Sequence, residues 1–252
     1  MTTPAIAPDM NLPPQASAIS RVVNTFIAPT KAFAGLDKGK TGWWLAWLIS
    51  AIVTVAFAFS VGKQVGWNQV VQNQIHSNQK MADQIEKAPA EQREKTVSII
   101  STSFKVSLYG APALSLLFAT IFAAILLGTF NFGFGATIRF KTMFAIVIYG
   151  FLPYVLHALI SIVTLFAGVD PEGFRVENPA ATNVAAFLGT GISPALYRLA
   201  SAIDIFNIWI IILLGIGVSM NSKVKRSTAI LTVGIWYALV ILAQAGLAAL
   251  RS

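Results

Sequence analysis

Long apolar runs separated by short polar stretches dominate the chain. Five of them reach the roughly 20 residues that a helix needs to cross a hydrocarbon layer. They lie near 43–61, 107–130, 143–168, 199–218 and 228–250, and the fourth is the least clean, with Arg198, Asp204 and Asn207 at its start. Ahead of them, residues 1–41 carry Pro4, Pro8, Pro13 and Pro14 and no short apolar core behind a basic start. That head is not the pattern of a cleavable signal peptide, so span one is expected to act as an uncleaved anchor.

Between the spans the period of the pattern changes. Residues 21–36 mix Val22, Val23, Phe26, Ile27, Phe33 and Leu36 with Arg21 and Lys31, and Pro29 divides them. One or two short amphipathic helices lying at the headgroups are the expected outcome. In the 63–105 connection, Trp67, Val70, Val71, Ile75, Met81, Ala82 and Ile85 recur at helical spacing until Ala88-Pro89 interrupts them. This predicts a hairpin of two helices that extend spans one and two outward, each about 35–40 Å tall at 1.5 Å per residue. Such a hairpin either packs only on itself or serves as a docking or oligomerisation element. Residues 170–193 form a second loop on the same side, with Pro171, Pro179 and several Gly and Asn. Its Asn178-Pro179-Ala180 matches the aquaporin tripeptide in letters only, because aquaporins carry two such boxes in a six-span duplicated fold; turn chemistry is the better reading. The fold class is therefore all-α, a polytopic membrane protein of five transmembrane helices with a helical hairpin insertion at 63–105. Residues 1–41 read as a cytoplasmic segment with an interfacial helix, and 42–252 as the membrane domain.

Composition agrees and narrows the chemistry. Hydrophobic residues make up 56% and charged ones 11%, too few charges to cover a soluble surface, which runs near 25%. Cysteine is absent and only His76 and His157 represent histidine, which excludes disulfides and thiolate metal sites and leaves a metal enzyme poorly supplied. No cofactor is expected. The net charge of +8 is a matter of position. With the N-terminus inside, one side holds Arg21, Lys31, Lys38, Lys40, Arg139, Lys141, Lys223, Lys225 and Arg226 against Asp9 and Asp37, a balance of +7. The other side holds nine bases against eight acids, +1. The positive-inside rule then predicts N-in, C-out, in a cell membrane, with the bacterial inner membrane the expected one. Because the positive charge follows topology and is not interleaved with exposed aromatics, nucleic acid is not an expected partner.

No catalytic signature is present: no G-x-S-x-G, no H-E-x-x-H, no pair of intramembrane aspartates. Gly128, Gly133 and Gly135 before Arg139 and Lys141 lack the strand and Lys-Ser/Thr of a phosphate loop and read as a turn with headgroup-binding cations. One polar constellation remains. Counting 1.5 Å per residue from the outer ends of their spans, Asp204 lies about 8 Å deep, Gln244 about 9 Å, Asn207 about 12 Å and His157 about 15 Å. Four polar side chains on three helices thus share one half of the bilayer, where ionisable groups are functional candidates by default. Asp204 beside His157 could titrate near neutral pH. The alternative is interhelical glue, worth roughly 0.6–2 kcal/mol per hydrogen bond, with Arg198 neutralising Asp204. These readings lead to two functions: a non-enzymatic protein that organises lipids, oligomerises or binds a membrane-protein partner, or a small transporter or lipid or proton pathway.

Several short motifs run in a familiar order: Arg21-Val22-Val23, Ile27-Ala28-Pro29-Thr30 and Phe33; Gly133-Phe134-Gly135 with Phe140-Lys141; Tyr149-Gly150 and Pro153; Ala202-Ile203-Asp204-Ile205-Phe206 with Trp209; and Gly215-Ile216-Gly217. Over 21–250 the chain resembles the bacterial branch of the Yip family, five-span membrane proteins named for interaction with Ypt/Rab GTPases. The resemblance implies five helices, a cytoplasmic N-terminus and a short outside C-terminus. Eukaryotic relatives bind small GTPases through an acidic Asp-Leu-Tyr-Gly-Pro motif in a longer N-terminus. That motif is missing from the N-terminal segment here, which argues against a small-GTPase partner. Leu108-Tyr109-Gly110-Ala111-Pro112 echoes its letters at the start of span two, without the Asp.

Overall fold

The computed structural model describes residues 16–77, 79–168, 170–188 and 192–251. The head with its four prolines and Asp9, and the terminal Ser252, lie outside the described residues. Among the described residues, eleven α-helices follow one another: α1 (Ala18–Ile27), α2 (Pro29–Phe33), α3 (Trp43–Gln64), α4 (Trp67–His76), α5 (Gln79–Lys87), α6 (Ala90–Phe134), α7 (Phe140–Gly150), α8 (Pro153–Phe166), α9 (Pro194–Ala202), α10 (Ile205–Met220) and α11 (Arg226–Arg251). Among the described residues, four units are long and apolar enough to cross a membrane: α3, α6, α7 with α8, and α11. The fold is all-α and polytopic, as the pattern of runs predicts.

The fourth run is where pattern and structure part. An unbroken span at 199–218 is expected, but the helix stops at Ala202 and restarts at Ile205, leaving the 16-residue apolar α10. Asp204 causes the break. It adopts an extended backbone and its carboxylate caps the new helix, the role for which short acidic side chains are best suited. A milder interruption divides span three. Pro153 has no N–H to donate, and the Leu152 N–H turns to Tyr149 O at 3.2 Å, three residues back.

Half of the α7–α8 window is buried, against 22% of α3 and α6 and 17% of α11. The pair α7 and α10 forms the centre, and α3, α6 and α11 turn most of their apolar surface outward. Two glycines set the closeness of this packing. A Cβ on Gly150 would lie 2.5 Å from Leu214 Cδ2, and one on Gly215 would lie 2.7 Å from the Ile230 backbone. Both belong to the motifs that carry the family resemblance.

The hairpin keeps one expected arm and loses the other. From Ala90 to Phe134, α6 is one 45-residue helix, about 68 Å long at 1.5 Å per residue. Inside it, Pro112 leaves the ladder incomplete, and the Trp47 indole of α3 donates to Pro112 O at 3.1 Å. The other arm stops at Gln64. Gly66 takes φ +81°, and the Trp67 indole lies so close to Gly62 that a Cβ there would fall 2.7 Å from its Nε1. The chain then continues as two short helices, α4 and α5. They do not pack on the hairpin alone. Val61, Val65, Val70, Leu165 and Phe174 form a second small core, and the Asn73 amide donates to Pro171 O at 2.7 Å and Phe174 O at 2.8 Å.

Residues 21–36 form the two short helices that the division at Pro29 predicts. The polar side of the first is not turned outward. Arg21, at 2% exposure, and Thr25 face inward, while Ile19, Val23 and Ile27 are 68%, 49% and 74% exposed. This inverted pattern suits a helix with lipid on its outer side. The Arg21 guanidinium donates to Ala32 O at 2.6 Å and Ala34 O at 2.9 Å, satisfying carbonyls at the end of α2. Asn221 takes the intervening Phe33 O at 3.0 Å. Phe33 also lies near Gly217, whereas Phe26 meets Trp209 edge-on with ring centroids 5.9 Å apart. Eight residues of α10 separate those contacts, about 12 Å of rise. The α1–α2 pair thus runs along α10, with its Phe26 end beside Trp209 and its Phe33 end beside Gly217.

Candidate functional site

The interruption between α9 and α10 gathers a cluster of polar groups around Asp204. Asp204 is 5% exposed. Its Oδ1 accepts from the N–H groups of Phe206 at 2.7 Å and Asn207 at 3.4 Å, and its Oδ2 accepts from the Thr182 hydroxyl at 2.5 Å. A single antiparallel bridge pairs Asn183 with Asp204, so the outer loop reaches down to the break. The loop is braced in turn by reciprocal amide bonds between Asn178 and Asn183, at 2.7 and 3.3 Å. Asn178-Pro179-Ala180 is therefore turn structure, as its chemistry predicts.

Ala202 O, freed where α9 ends, accepts from the Tyr237 hydroxyl at 2.7 Å and the Asn207 amide at 3.4 Å. Asn207 Oδ1 accepts from the Tyr154 hydroxyl at 2.6 Å. These polar groups at the break thus find partners on neighbouring helices, in the loop or across the break itself, as burial away from water requires.

Of the four side chains singled out from the sequence, two share hydrogen bonds at the break and two stand beside it. Asp204 and Asn207 share the break. His157 meets the Phe206 ring edge-on at 5.2 Å and lies within electrostatic reach of the Asp204 carboxylate. Gln244 accepts from Arg198, from Nε at 2.8 Å and from Nη2, so Arg198 is committed to Gln244 and not to Asp204. Thr182, Tyr154 and Tyr237 complete the arrangement. Nothing in the apolar runs distinguishes them from tyrosines and threonines elsewhere, because their roles arise only where the break leaves carbonyls open.

The remaining resemblance residues are structural neighbours of this centre. Tyr149 donates to Thr41 O at 3.0 Å, Gly150 admits Leu214, Pro153 divides span three, and Pro29 starts α2. Trp209 stands between the Phe26 ring and Phe206, stacked 6.5 Å away. A chain of rings, Phe26–Trp209–Phe206–His157, so connects α1 to the interrupted helix.

A half-helix N-terminus inside a membrane is a ready anion site when it is open. Here the positive end of α10 is closed by the carboxylate of its own chain. Among the described residues, no group of three His, Asp or Glu side chains is placed to hold a metal. A pocket of ≈ 10 Å³ lies instead in the outer layer, lined by Val70, Asn73 and Phe174–Glu177.

Helices of this length, packed on glycines around a polar break, define a multi-pass α-helical membrane protein. The chain belongs to the Yip1 domain family, whose profile matches residues 23–247. No curated protein and no solved structure matches it.

Proposed function

We propose that this protein is a non-enzymatic organiser of the bacterial inner membrane. It sits with the N-terminus in the cytoplasm and oligomerises, or binds a membrane-protein partner, through its outer helical layer. One observation carries the reading. The outer arm of α6 stands on a braced platform, α4 tied by Asn73 to the second loop, and presents Ile99 and Val106, each 66% exposed. One heptad apart, they lie on one face of the helix, and apolar residues on a polar arm favour burial against another chain.

Transport through the polar cluster has less support, since Asp204, Asn207 and Gln244 are each engaged by neighbouring side chains.

Because the chain has no cysteine, single cysteines test the arm directly. With Ile99→Cys or Val106→Cys in native membranes, oxidation should give one discrete cross-linked species, a dimer or a partner adduct. Lys105→Cys, about 120° around the helix from Ile99, should give little. Equal cross-linking at all three positions, or none at any, defeats the proposal.

A further inference from the structure

At the basic end, the outward stripe of α1 runs straight into a cationic platform. Ala18, beside Ile19, lies so close to Gly42 that a Cβ there would be 2.8 Å from the Ala18 Cβ. The segment leading to Gly42 is held from two sides. The exposed Lys141 amine donates to Gly39 O at 3.3 Å, and the buried Tyr149 hydroxyl donates to Thr41 O at 3.0 Å. Lys40, also exposed, lies between these anchors. Ile19, Val23 and Ile27 lead away from the platform at successive turns of α1, about 12 Å in all at 1.5 Å per residue. Their inward neighbours Arg21 and Thr25 are already satisfied within the protein. At this end Lys31, Arg139, Lys223, Lys225 and Arg226 are exposed too, and Asp37 is the sole carboxylate among the described residues there.

An apolar strip that starts at a pair of lysines and descends toward mid-depth has the shape of one phospholipid. We infer that α1 and the Lys40–Lys141 platform form a binding site for an anionic phospholipid of the leaflet at the basic end. The phosphate lies between Lys40 and Lys141, and one acyl chain lies along Ile19, Val23 and Ile27. Charge complementarity selects an anionic over a zwitterionic headgroup, because bases outnumber the one carboxylate, Asp37, among the described residues at this end. The course of α1 from Gly42 to Trp209 is what makes the strip available. Were α1 flat on the surface, the same three side chains would point at many lipids and hold none in register.

The experiment uses the full chain in nanodiscs of equal parts phosphatidylglycerol and phosphatidylcholine, released for native mass spectrometry. The wild type should retain one phosphatidylglycerol per protein. Lys40→Gln with Lys141→Gln should lower that occupancy roughly ten- to thirtyfold, as expected for losing two near-surface lysines. Lys223→Gln with Lys225→Gln, equal in charge removed, should leave it within about twofold. All four substitutions are at exposed positions, and helix content by circular dichroism confirms folding. Phosphatidylcholine retained as well as phosphatidylglycerol overturns the inference. So does an equal loss in both double variants, which would reduce the effect to net charge, or an unchanged occupancy in Lys40→Gln with Lys141→Gln.

Discussion

Asp204 is the residue on which structural and proton-relay roles part most clearly. Asparagine caps a helix about as well as aspartate, so Asp204→Asn should keep the bond to the Phe206 N–H and cost about 1 kcal/mol or less. Asp204→Leu removes the cap and strands the Thr182 hydroxyl, a loss of about 2–4 kcal/mol. Thermal midpoints in one fixed detergent should rank wild type, Asn and Leu in that order with a wide second gap. A proton relay predicts something else, Asn as damaging to function as Leu with stability intact. The sequence shows that Asp204 is embedded and polar, and its place in the Ala202–Phe206 motif is visible. Its partners are not legible, because Thr182 comes from a loop 22 residues earlier and Tyr154 from another span. Arg21 is the harder case. In a linear pattern a basic residue among apolar ones belongs on a wet face, and only the carbonyl ends of α2 explain its burial.

Among the elements, the apolar runs correctly place α3, α6, α7–α8 and α11, since length and composition alone decide whether a helix can cross. They do not reveal where a span breaks. Hydropathy averages over a window, whereas a break depends on one cap or one proline. The same limit explains the outer hairpin: helical spacing continues through 63–105, but Gly66 ends α3 by local geometry. Helix contacts, by contrast, can be tested through glycine. Gly215→Ala must push α10 from the Ile230 backbone and should destabilise by about 1–3 kcal/mol, the usual cost of overpacking. Gly246 on α11 has open space around its Cβ position, so Gly246→Ala should be neutral or stabilise by up to about 1 kcal/mol through helix propensity. Equal midpoints for the two variants would mean that α10 and α11 are not tightly apposed in the membrane.

For the molecule as a whole, charge position makes the sharpest prediction. Lys223, Lys225 and Arg226 share one end with Arg139 and Lys141, while Glu91 and Glu94 lie on the outer arm of α6. With N-in topology, a membrane-impermeant maleimide added to intact spheroplasts should label Glu94→Cys and spare Lys225→Cys until the membrane is opened. Labelling of Lys225→Cys first would invert the proposed orientation. The unbroken length of α6 has a mechanical consequence. Asn131 clamps its basic end through two bonds to Ile138, at 3.0 and 3.1 Å, and Ala90 stands some forty residues away. Spanning helices tilt to match the thickness of the hydrocarbon around them. A 10° tilt about that clamp would swing the far end by about 11 Å, at 1.5 Å of rise per residue. As one helix, α6 would carry any such tilt from the hydrocarbon layer out to Ala90.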